Sequence, residues 1–91
     1  MNQTIEFSKS KDRLNVRAHD ISLARAVDFD FDTALEAIDD SQDYGEQRWI
    51  ALGFLAGKLY VLVYVSLSER HLRIISLRKA TKAEELLYAE H

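Results

Sequence analysis

From Leu59 to Val65 the chain reads LYVLVYV, apolar at odd and even positions alike. Side chains alternate across a strand, so a strand of this kind belongs in the interior of a sheet covered on both faces. The rest of the chain must then supply neighbouring strands and covering layers. Gln47–Leu55 and Lys58–Leu67 are joined through Ala56-Gly57, the spacing of a hairpin in which glycine supplies a positive φ. After a turn over Ser66–Arg70, Leu72–Arg78 returns as a strand and runs into a last helix. Thr81 and Glu84 have the spacing of a capping box there, and Ala83, Leu86 and Leu87 form the expected buried stripe.

The first half is read from its start and stop signals. Thr4–Phe7 is a short apolar start, and Ser8 can cap a helix over Lys9–Ala18. Leu14 and Ala18, four apart, mark its apolar side, while Lys11, Asn15 and His19 form one polar row. Asp20 or Ser22 can cap a second short helix over Leu23–Val27, before the acidic stretch Asp28–Asp32, whose alternation alternatively reads as extended chain. Thr33–Ile38 is a weak strand and Asp39–Gly45 a polar turn. The sum is an α+β fold: a small antiparallel sheet of about four to five strands, two N-terminal helices and one C-terminal helix, in a single domain spanning residues 1–91.

Composition narrows the function classes. The chain has no cysteine, so a disulfide scaffold, a zinc knuckle and a thiol nucleophile are excluded. The N-terminus has no apolar leader and the longest apolar run is far below the roughly 20 residues of a membrane span, so the expectation is a cytoplasmic protein with no membrane partner. His71 and His91 have no second ligand at metal spacing, so no metal or other cofactor is expected. The formal net charge of −3 argues against nucleic-acid binding through a broad basic surface. The charges are segregated, however. Lys9, Lys11, Arg13 and Arg17 lie early, Arg70, Arg73, Arg78, Lys79 and Lys82 lie late, and between them Asp28–Glu46 is acidic. A fold that joins the two ends would build a local positive patch, and the acidic middle would suit a basic partner; solvated surface charge is the plainer alternative.

Three stretches resemble the BrnT family of small ribonuclease toxins from type II toxin-antitoxin systems. Asn15-Val16-Arg17-Ala18-His19-Asp20 keeps the Asn and His of the family's N-x-x-K-H-G segment. Asp43-Tyr44-Gly45-Glu46-Gln47-Arg48-Trp49 is similar to its D-Y-G-E-x-R-aromatic entry into a strand, and Arg73-Ile74-Ile75-Ser76-Leu77-Arg78-Lys79-Ala80 to its R-I-I-S-x-R-x-A motif. The resemblance implies a RelE-like fold, metal-independent cleavage of messenger RNA, and neutralisation by a cognate BrnA-like antitoxin. Operator DNA would be bound only through the antitoxin complex. Ala18, Ser68 and Ala83 stand where the family carries basic residues, with Arg70 near enough to Ser68 to replace one of them.

Metal-free RNA cleavage needs a base for the 2′-hydroxyl proton, cations around the phosphorane and an acid for the leaving 5′-oxygen. His19 is the candidate base or acid, with Lys11 beside it; a surface histidine bonding a carbonyl is the competing reading. Arg48, Arg73 and Arg78 are the candidate phosphate contacts. Arg73 and Arg78 are five apart, so a regular strand sends them to opposite faces and only a bulge or the strand's end lets both serve one site. Arg48 alternatively pairs with Glu46. Tyr44, Trp49, Tyr60 and Tyr64 read either as base-stacking platforms or as core. A second overall reading is a catalytically weakened toxin-fold protein that mainly binds its antitoxin and modulates operator binding; a third is a structural module with no RNA role.

Overall fold

A computed structural model describes residues 3–91. Its elements are β1 (Thr4–Glu6), α1 (Lys9–His19), a 3₁₀ segment (Leu23–Asp28), β2 (Leu35–Asp39), β3 (Arg48–Leu55), β4 (Lys58–Ser68), β5 (His71–Lys79) and α2 (Lys82–Ala89). One five-stranded sheet has the order β1-β5-β4-β3-β2. The doubly apolar run lies in β4 at the centre, with Leu62 and Tyr64 buried on one face and Val61 and Val65 on the other. The hairpin closes at Leu55↔Lys58. Both turn residues have positive φ, 51° at Ala56 and 80° at Gly57, the handedness that matches strand twist.

Strands β2 to β5 pair antiparallel, as expected, whereas β1 joins β5 in parallel, so the sheet is mixed. The main core lies between one sheet face and the 3₁₀ segment: Leu23, Ala26 and Phe29 pack on Ala51, Leu55, Leu62, Tyr64, Leu72, Ile74 and Leu77. Gly53 admits the Phe29 ring, since a Cβ there would stand 2.8 Å from Phe29 Cζ and 2.9 Å from Ala34 Cβ. The second helix is thus a 3₁₀ turn. Leu23 and Ala26 are three apart and superpose on one side of such a turn, and the Ser22 hydroxyl caps it by accepting from the Ala24 N–H.

Two helical faces differ from the sequence expectation. In α1, Leu14 is 62% exposed and Asn15 is buried, so the polar row Lys11–Asn15–His19 is broken by an inward-turned middle member. The reason is the shortness of β1, which pairs only with His71–Arg73 and leaves Leu77 on a free edge. Asn15 fills that place, donating to the Leu77 carbonyl at 2.8 Å and accepting from the Leu77 N–H at 3.1 Å, as a neighbouring peptide group would. In α2 the capping box forms, but Ala83 is exposed, Leu86 is 67% exposed and Leu87 half exposed. The helix instead docks through Glu84 and Tyr88, four apart, the latter edge-on to Phe54 at 5.3 Å and donating its hydroxyl to the Thr33 carbonyl. Among the described residues no helix is long and apolar enough to cross a membrane.

Candidate functional site

The arginines share a face because β5 is irregular. Tyr64 pairs with Ile74 but Val63 with Ser76, so Ile75 is an extra residue in β5. Leu72, Ile74 and Leu77 all face the main core despite their uneven spacing. Arg73 and Arg78 consequently both point away from it, onto the opposite, more open face. Arg73 pairs with Val65 on one side and Glu6 on the other. Arg48, one step beyond the Trp49↔Tyr64 pair and opposite Asp39, completes a row that crosses every strand.

Charge alternates along this row. Glu46 bridges two guanidinium groups, 3.4 Å from Arg48 Nε and 3.5 Å from Arg73 Nη1. Glu6 stands 3.5 Å from Arg73 Nε and 2.9 Å from His71 Nε2. The Arg48 guanidinium lies 4.0 Å over the Tyr44 ring, whose hydroxyl donates to Asp39. Hydrogen bonds from Ser41 and Tyr44, with Arg48 nearby, hold the Asp39 carboxyl below its ordinary range. Partly exposed pairs such as these contribute only about 0–1 kcal/mol each, so the cluster sets side-chain direction more than it stabilises the fold. Arg73 keeps 42% of its side chain exposed.

Arg78 is differently engaged. Its Nη1 and Nη2 each donate to Glu84 at 2.9 Å, a bidentate fork joining β5 to α2. That contact draws the Glu84 carboxyl down to about 2 and the Arg78 pKa up.

Lys11 and His19 stand elsewhere. They line a shallow groove with Leu14, Asn15, Ala18, Ile75 and Ser76 on the free edge of β5. Early helix and arginine-bearing strand do converge, through Asn15 and Leu77. The structure brings Arg48 and Arg73 into one cluster, sets Arg78 on the same face but in the hands of Glu84, and gathers Lys11 and His19 in a groove of their own. Trp49, Tyr60 and Tyr64 pack on the core side; burial, then the hydrogen bond to Glu36, raises the Tyr64 pKa.

Glu6 and His71 are members of the cluster that sequence reasoning missed. Their signal was parity: His71 lies two before Arg73 and so shares its face, and Glu6 needed the parallel β1–β5 pairing to come beside them.

The model of the family described as the ribonuclease toxin BrnT of type II toxin-antitoxin systems matches residues 7–84. Among solved structures, the Brucella abortus ribonuclease toxin BrnT superposes with a TM-score of 0.64 at 20% identity, covering 88% of this chain and 99% of that one. That likeness establishes the fold. Comparison with curated proteins gave no significant match. Since the family match takes in the whole stretch from α1 to the start of α2, with Arg48, Arg73, Arg78 and the edge groove all inside it, the chain belongs to the BrnT family of ribonuclease toxins of type II toxin-antitoxin systems.

Proposed function

We propose that this chain is a cytoplasmic toxin that cleaves messenger RNA without a metal and is silenced by a BrnA-like antitoxin, operator DNA being bound only by their complex. One observation carries the reading: Arg73, opposite Val65 on β4, stands in line with Arg48 on the open sheet face, with Glu46 between the two guanidinium groups. Two guanidinium groups held on β3 and β5, on either side of central β4, suit a phosphate whose charge grows as the phosphorane forms. RNA would displace Glu46 from between them. Arg78 serves indirectly by holding α2, and Lys11 and His19 act from the edge groove on RNA that crosses β5.

The test is expression of the chain without its antitoxin in bacteria, following growth and messenger RNA integrity. Arrest with RNA loss is expected, and Arg73→Ala should lower cleavage at least tenfold while leaving the fold intact. Normal growth with intact RNA would remove the catalytic reading. The weakened, antitoxin-binding alternative would then stand, and one feature favours it: Arg48, Arg73 and Arg78 all already face carboxylates.

A further inference from the structure

The open face holds a titratable group that neither the motifs nor the edge groove supplies. His71 begins β5, pairs with Thr4 and shares the parity of Arg73 two residues on. Its Nε2 is 2.9 Å from Glu6 Oε1, and the other oxygen of the same carboxylate is 3.5 Å from Arg73 Nε. Glu6 therefore sets the imidazole and the guanidinium side by side. The His71 side chain is 40% exposed, open to a ligand lying along the row. The flanking charges are Glu6 on β1, Arg73 on β5, and Glu69 and Arg70 in the turn before it.

We propose that His71 is the general base of the cleavage reaction, with Glu6 as its positioning residue; this rests on the ribonuclease reading above. With Nε2 turned to Glu6, Nδ1 of the neutral ring is left as a proton acceptor. It takes the proton of the 2′-hydroxyl as that oxygen bonds to phosphorus. The P–O5′ bond breaks, the electron pair leaves with O5′, and solvent water protonates it. The products are a 2′,3′-cyclic phosphate and a 5′-hydroxyl. The hydroxide released from that water takes the proton back from His71, restoring the base. Glu6 faces the imidazolium that forms transiently, and Arg73 faces the phosphorane.

His71→Gln keeps a polar side chain that cannot accept the proton, so kcat should fall about 100-fold, the usual worth of a positioned base. The acid limb of the kcat/KM pH profile should vanish with it. Added imidazole should restore part of the activity of His71→Ala, a response that a purely structural histidine would not give. Glu6→Gln should reduce kcat less and displace that limb. Circular dichroism of each variant distinguishes unfolding from lost chemistry, and imidazole rescue of His71→Ala decides the matter if His71→Gln is poorly folded. Wild-type cleavage with an unchanged His71→Gln profile, or no rescue of folded His71→Ala, would overturn this assignment alone. A wild-type chain that cleaves no RNA would overturn it together with the ribonuclease reading.

Discussion

Asn15 does at one position what an extra strand would do along a whole edge. Its amide donates to the carbonyls of Ile21 and Leu77 and accepts from the Leu77 N–H, at 2.8–3.1 Å. Asp12, a turn earlier, accepts from the Ser22 hydroxyl and the Leu23 N–H through one oxygen. With Leu14 and Val16 exposed, α1 is held to the sheet mainly by these polar contacts. A buried polar group left without its partner loses more than the hydrogen bond itself. Asn15→Ala should therefore cost about 2–4 kcal/mol, since it strands both Leu77 groups. Urea denaturation measures this, and a variant as stable as the wild type would show that α1 is tethered by something else. The asparagine was visible in the sequence as part of the family's motif and as one of a polar row, but not as a core residue. Spacing within a helix says nothing about which neighbouring strand has an empty edge.

At the scale of the element, α2 shows where local sequence is legible and where it is not. Its start is decided within four residues, so the Thr81–Glu84 capping box could be read directly. Its buried face is decided by how β5 delivers it to the open sheet face, so the apolar stripe Ala83, Leu86 and Leu87 was a poor guide and the Arg78–Glu84 fork replaces it. The same limit applied to β5, where nothing in RIISLR marks Ile75 as the extra residue, although strand parity made clear that one was needed. Glu84 titrates from 4.5 in the unfolded chain to about 2 when folded. A carboxyl with a lowered folded pKa stabilises fully above its unfolded value and loses that contribution as the pH falls towards its folded value. The fork is partly exposed, so its contribution at neutral pH is about 1–2 kcal/mol after allowance for solvent screening. Glu84→Gln should lose that amount at pH 7 and much less at pH 2, as measured by chemical denaturation. An equal effect at both pH values would show that the carboxylate's charge is not what anchors α2.

Across the whole molecule the decisive quantity is how little free positive charge the site presents. The chain carries −3 overall, and the strand order sets acidic β2 at one margin of the sheet, while the loop that follows it carries Glu46 back to Arg73 on β5. The two basic ends do meet, the condition on which a local patch depended, because β1 pairs with β5 and α1 caps its edge. The three candidate arginines are nevertheless answered on the spot, by Glu6 and Glu46 for Arg73, Glu46 for Arg48 and Glu84 for Arg78. Composition could not show this, since pairing depends on register across strands rather than on counts. A ribonuclease built this way holds RNA through few phosphates and relies on placement rather than bulk attraction. With Arg48 and Arg73 as the two phosphate contacts, log K for a single strand should fall with log salt at a slope near −1.4, about −0.7 for each phosphate neutralised. Fluorescence anisotropy with a 2′-O-methyl oligonucleotide, which binds without being cleaved, gives this slope directly. Arg73→Ala should bring it to about −0.7. A wild-type slope steeper than about −3 would mean that lysines outside the row, such as Lys58 and Lys79, carry the RNA, and the phosphate track would then have to be moved towards α2.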